Sequence, residues 1–165
     1  MVLELGEWKM GLIDWARKKS PWITHVHCGG CNGCDIEIAA TLTPRFDIER
    51  LGCLLKNNPR YSDVLVVTGP VPKHTEPMLL RIYQQTPDPK IVMAIGECAI
   101  AGGIYVEEGY ENYALVGQVD KVVPVDVYVP GCPPKPEAII HGLVLALQKL
   151  REKKLKAKAT NTAEC

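Results

Sequence analysis

Along this chain, short apolar runs ending in Gly, Pro or Cys alternate with segments whose apolar positions recur at helical spacing. The runs are 22–27, 47–52, 63–68, 90–95 and 121–129. The interiors of two of them, VLVVT at 64–68 and KIVMAI at 90–95, are apolar at successive positions. A strand covered on one face alternates apolar and polar; a strand covered on both does not, so these runs predict buried parallel strands. Segments 35–42, 75–85 and 136–156 read as helices. Strands alternating with helices build right-handed βαβ units. The expected fold class is α/β, a single domain with one parallel sheet flanked by helices.

Two flanking segments extend this picture. Residues 3–19 predict an N-terminal amphipathic helix, with Trp8, Leu12 and Trp15 at helical spacing. Its C-terminal end carries Arg17, Lys18 and Lys19, where cations suit the helix dipole, and Ser20-Pro21 stops it. The tryptophan stripe reads as a packing face, and a partner subunit is a candidate to cover it. At the other end, 151–165 reads as a polar, Lys-rich tail in which the last helix frays. The expected organisation is thus a helix at 1–20, one domain at 21–150 and a tail at 151–165.

Composition removes several classes of function. The chain has 165 residues, enough for one domain with a real core. Lys+Arg and Asp+Glu balance at 19 each, so it lacks the basic excess that nucleic-acid binding requires. No apolar run is long enough to cross a bilayer. The first twenty residues carry Glu4, Glu7 and Asp14 and have no secretory apolar core. That weakens a disulfide reading of the seven cysteines: Cys28, Cys31, Cys34, Cys53, Cys98, Cys132 and Cys165.

Most of these cysteines lie just past predicted strands. Cys28, Cys31 and Cys34 follow run 22–27 in HCGGCNGCD, Cys98 follows run 90–95 in GEC, and Cys132 follows run 121–129 in PGCPP. In an open parallel sheet the carboxyl ends of the strands share one edge, so residues far apart in sequence meet there. Structural zinc usually takes two short-spaced cysteine pairs, whereas Cys98 and Cys132 come singly from separate strands. An iron–sulfur cluster accepts such dispersed thiolates. Gly29, Gly30, Gly33, Gly96 and Gly131 would let backbone N–H groups approach the sulfurs, and Pro130, Pro133 and Pro134 would stiffen the last turn. Five cysteines share the edge and a cubane needs four, so Cys28 stays an alternative to Cys31 at this stage. Cys53, inside LGCLL, reads as a buried apolar cysteine, and Cys165 as a non-ligand.

Four motifs carry a family resemblance: CNGCDIE (31–37), TGPV (68–71), IGECA (95–99) and VPGCPPKPEAIIHGL (129–143). Together they resemble the small subunit of membrane-bound, energy-converting [NiFe] hydrogenases, and the homologous cluster-bearing subunit of respiratory complex I. The resemblance covers about residues 20–150. It implies a flavodoxin-like domain holding one [4Fe–4S] cluster on Cys31, Cys34, Cys98 and Cys132, with no role for Cys28. It also implies partners: a [NiFe] large subunit with the catalytic centre, a ferredoxin-like subunit with further clusters, and membrane subunits that move ions. The chain would then lie peripherally on the cytoplasmic face of the membrane and relay electrons, without a catalytic centre of its own. Complex I relatives carry adjacent cysteines in the first motif, so the spacing Cys31-Asn-Gly-Cys34 favours the hydrogenase branch. Reduction of quinone or sulfur species by a related complex is the alternative. Lacking a twin-arginine signal and a second cluster domain, the sequence looks like the minimal cytoplasm-facing form.

Other polar residues near the motifs carry lesser expectations. Asp35 and Glu37 either order the first ligand loop or serve as acids at a helix N-terminus. Glu37 on a partner interface could also move protons. Glu97, directly before Cys98, reads as a solvated turn residue, with a position facing the cluster as the alternative. His25 and His27 alternate on one strand and share a face, as packed or interfacial histidines and not ligands. His141 carries no chemistry.

Overall fold

The computed structural model describes residues 20–106 and 113–163. The helix expected over 3–19, with its tryptophan stripe, lies outside the described residues, as does Cys165. Seven strands form among those described: β1 (Trp22–His27), β2 (Leu54–Leu55), β3 (Val64–Thr68), β4 (Val71–Pro72), β5 (Ile91–Ile95), β6 (Leu115–Gly117) and β7 (Val127–Val129). Four α-helices accompany them: α1 (Gly33–Thr41), α2 (Glu76–Gln85), α3 (Glu97–Ala101) and α4 (Pro136–Ala163).

The main sheet is parallel throughout, in the order β2-β1-β3-β5-β7. Counting only these strands along the chain, the order is 2-1-3-4-5, the doubly wound arrangement of flavodoxin-like folds. β3 and β5 are buried at every position, as their uninterrupted apolar sequences predict. Their side chains divide by parity between two cores. Val64, Val66, Ile91, Met93 and Ile95 pack with α1 and α4 through Ile38, Ile139, Leu143, Ala146 and Leu150. Leu65, Val67, Val92 and Ala94 pack on the opposite face with Leu79 of α2 and Ala99 of α3. Each fully buried side chain of this size contributes about 1.5–3 kcal/mol relative to exposure, so the central strands anchor the domain.

Three sequence expectations need correction. Run 47–52 is not a strand but a 3₁₀ turn at Ile48–Leu51, bracketed by positive φ at Asp47 (44°) and Gly52 (82°). Only one position of that turn, Ile48, is buried, and the edge pairing with β1 passes to Leu54–Leu55. Run 121–129 yields strand only from Val127, because Val119–Lys121 forms a 3₁₀ turn and Pro124 cannot donate to a ladder. Asp126 brings the chain into line there: its carboxylate accepts from Val92 N–H at 3.0 Å. Finally, the helix from 136 does not end near 156 but continues to Ala163. The tail contains Leu, Glu, Lys and Ala, with neither Gly nor Pro after Gly142 to end it. The small antiparallel pair β4–β6 had no clear sequence signal, its strands being two and three residues long.

A buried lysine joins α2 to the start of β5. Lys90, with a side chain only 10% exposed, donates to the Tyr83 carbonyl at 2.9 Å and the Thr86 carbonyl at 3.0 Å. Its ammonium also lies 4.1 Å from the centre of the Tyr83 ring. Tyr83 lies in the last turn of α2 and Thr86 caps it, where the carbonyls have no further helical donors. Lys90→Met keeps the stem but orphans the carbonyls. It should lower unfolding free energy by about 1–3 kcal/mol, read as a lower denaturation midpoint.

Candidate metal centre

Three loops at the carboxyl edge of the sheet carry the cysteines, and a fourth buttresses them. β1 runs out through Cys28, whose N–H continues the ladder by donating to the Thr68 carbonyl at 3.0 Å. The chain then turns through Gly29 and Gly30, and Asn32 (φ 62°) starts α1. Cys31 is therefore exposed on the loop, while Cys34 is half-buried in the first turn of the helix. The loop after β3 lies directly on this turn. A Cβ built on Gly69, at φ +79°, would overlap the Gly29 carbonyl, so this contact admits glycine alone. This is the point where the strand order reverses, the usual location of sites in such sheets.

Cys98 and Cys132 reach the same edge on neighbouring loops. Cys98 does not sit in an open turn, as its GEC context suggested, but within the short helix α3. Gly96 N–H donates to the Val129 carbonyl and Glu97 N–H to the Gly131 carbonyl, both at 2.9 Å, stitching these two loops together. Cys132 is exposed and is followed by Pro133 through a cis peptide. The Cys34 sulfur lies over Gly96: a Cβ there would run into it. Gly96 thus opens the space that brings the first loop against the second and third.

The thiols act on one another electrostatically. The Cys34 thiol is pushed up to about 11, first by burial and then by the charges that Cys98, Asp35, Cys31 and Cys132 would carry. Cys98 is also pushed up, first by burial and then by Cys132 and Cys31. Four thiolates so arranged repel each other, and a cationic metal group is what would reconcile them. Among the described residues no three His, Cys, Asp or Glu side chains converge on a point for one metal ion. Four thiols drawn from three loops are a donor set that an iron–sulfur cluster would accept, one thiolate to each iron.

The remaining cysteines lie elsewhere. Cys28 is 3% exposed and packs with Val26, Leu65 and Val67 in the core on the α2 side. Its thiol is pushed up to about 12 by burial alone, with no contribution from another cysteine. Cys53 is fully buried on the opposite side and lines a small apolar cavity with Ile38, Ile48 and Met93.

One cluster of side chains beside the cysteines was only partly legible in the sequence. The Asp35 carboxylate accepts from the Thr68 hydroxyl at 2.6 Å. It lies 3.0 Å from His25 Nε2 and 2.7 Å from His27 Nδ1. Strand parity placed both histidines on one face; what they meet there is the first turn of α1. Thr68 was missed as a site residue, although its motif, TGPV, stood at a strand end. Glu37 is half-buried, and Glu97 and His141 are exposed.

Comparison with known proteins agrees with this architecture. The family model described as "NADH ubiquinone oxidoreductase, 20 Kd subunit" matches residues 31–146. The chain is 55% identical over 132 residues to the probable membrane-bound hydrogenase subunit mbhJ of Pyrococcus furiosus, covering 80% of this chain and 77% of that one. Among solved structures it is similar to a chain of the membrane-bound sulfane sulfur reductase, an archaeal respiratory membrane complex. That match has a TM-score of 0.70 and 40% identity, covering 86% of this chain and 76% of the other. A chain of an NAD+-reducing [NiFe]-hydrogenase shares the fold, with a TM-score of 0.60 at 22% identity over 79% of this chain and 92% of that one. The match over most of the chain, together with the parallel sheet and its cysteine-bearing edge, makes this protein a member of the NADH ubiquinone oxidoreductase 20 Kd subunit family.

Proposed function

We propose that this chain is the electron-transfer subunit of a membrane-bound, energy-converting [NiFe] hydrogenase. It holds one [4Fe–4S] cluster on Cys31, Cys34, Cys98 and Cys132. The observation that carries the reading is the gathering of these four thiols from three separate loops, with Cys34 Sγ against Gly96 and the thiols within electrostatic reach of one another. The 55% identity to a probable membrane-bound hydrogenase subunit supports the choice of complex. When bound, the cluster supplies one-electron relay between a ferredoxin-like subunit and the large subunit that carries nickel and iron.

The chain's own residues hold and insulate that group. Cys34 and Cys98 approach from the protein side, half-buried, while Cys31 and Cys132 lie on the exposed side, where a partner would close over them. Ile36 and Ile104 are 67% and 91% exposed near Cys34 and Cys98, and a large subunit docked there would exclude water from the cluster. No helix among the described residues is long and apolar enough to cross a membrane. Peripheral attachment on the cytoplasmic face, through membrane subunits that translocate ions, completes the proposal.

A second reading has its own support: the similarity to the sulfane sulfur reductase chain favours a related complex that reduces sulfur or quinone species. Purifying the complex through this chain separates the two. A hydrogenase is expected to yield nickel, and a large partner with two C-x-x-C pairs to bind it. A large partner without those pairs, in a complex without nickel, would sink the hydrogenase reading and favour the second.

A further inference from the structure

We propose that Asp35 is a positioning residue for the cluster: held by Thr68, His25 and His27, its carboxylate fixes Cys34 and its charge lowers the cluster's reduction potential. This rests on the electron-relay reading above and goes beyond it by naming what tunes the relay.

Asp35 directly follows Cys34 in the first turn of α1. Its Oδ1 accepts the Thr68 hydroxyl at 2.6 Å and faces His25 Nε2 at 3.0 Å, while Oδ2 faces His27 Nδ1 at 2.7 Å. Thr68 is the last residue of β3, and both histidines stand on β1. The carboxylate therefore pins the helix that carries Cys34 to the two strands at the switch point. Both histidines also lie within 3.1–3.3 Å of the Thr68 hydroxyl oxygen, so the four side chains form one network. With its single proton given to Asp35, that hydroxyl accepts from an imidazole N–H.

The network also preserves a charge. Burial holds His25 below the ordinary histidine range, against the pull of Asp35. The negative charge of Asp35 is felt at the Cys34 thiol. A negative charge on the residue next to the ligand Cys34 opposes the arrival of an electron on the cluster, which suits a relay feeding proton reduction. Donors around the carboxylate moderate this effect by drawing its charge toward themselves.

Two substitutions with opposite signs test this. In the intact complex, the EPR signal lost in Cys98→Ser identifies this cluster, and redox titration gives its midpoint. Asp35→Asn keeps the shape and removes the charge. The midpoint should rise, with the oxidised-to-reduced ratio at a fixed potential falling about tenfold, equivalent to 59 mV for one electron. Thr68→Val keeps the charge and removes a donor, so the midpoint should fall, while Thr68→Ser should restore the wild-type value. Midpoints that stay unchanged in Asp35→Asn, or that move the same way in Asp35→Asn and Thr68→Val, overturn the inference. If Asp35→Asn assembles no cluster, the threonine pair decides: a lower midpoint for valine alone supports it, and equal midpoints overturn it. A wild-type complex whose copy of this chain holds no iron would instead remove the electron-relay reading itself.

Discussion

Cys98→Ser and Cys132→Ser should each abolish the cluster, whereas Cys28→Ser should retain it. Cys98 comes from α3 and Cys132 from the loop after β7, and no other thiol on either loop can substitute. Serine at a ligand position offers a poorly acidic hydroxyl in place of a soft thiolate, and iron in clusters is held by thiolates. Iron and acid-labile sulfide per chain should fall to background in both variants. Cys28 differs because it points into the core on the α2 side, among Val26, Leu65 and Val67, away from the other thiols. A serine there buries a hydroxyl, at a cost of about 1–3 kcal/mol in stability, without touching the ligand set. A folded Cys28→Ser protein without iron would overturn the assignment of the four ligands.

Gly69→Ala should be the most damaging substitution outside the ligands. Its φ of +79° is left-handed, and its Cβ would overlap the Gly29 carbonyl in the first ligand loop. The left-handed conformation costs an L-residue about 1–2 kcal/mol, and forcing two backbones apart at a packed contact about 1–3 kcal/mol. The expected loss is therefore about 2–5 kcal/mol, read as a lower midpoint of thermal or denaturant unfolding. The strain falls on the turn that carries Cys31 and positions Cys34, so cluster content should fall with it. An alanine variant with wild-type stability and full iron content would show that the two loops separate freely.

How well each part of the molecule could be read from sequence follows from how local its cause is. Runs 64–68 and 90–95 identified themselves because a strand covered on both faces must be apolar throughout, and each residue of β3 and β5 is buried. Run 47–52 misled because a short run with apolar Ile48 and Leu51 ending in a Gly turn looks like a strand end, whereas residues three apart eclipse in a 3₁₀ turn. Which structure forms there depends on the pairing between Leu54–Leu55 and β1, and the register of an edge strand is a tertiary property. Likewise, Asp35 is separated in sequence from Thr68 by 33 residues, and only strand adjacency brings them within hydrogen-bonding distance.

Local patterning is enough to give the α/β class, the strand ends after which Cys31, Cys34, Cys98 and Cys132 follow, and the shared face of His25 and His27. Hydrophobic period and strand parity are local rules, readable wherever the chain is long enough to show them. Tertiary packing alone sends Cys28 into the core on one face of the sheet and Cys34 against the core on the other, although the two lie only six positions apart. It alone decided that Asp35 would be gripped by three side chains from β1 and β3. Both outcomes turn on the direction of the loop after β1. Contacts with Gly69 and Gly96, in the turns that follow β3 and β5, set that direction, and no residue of the loop encodes it alone.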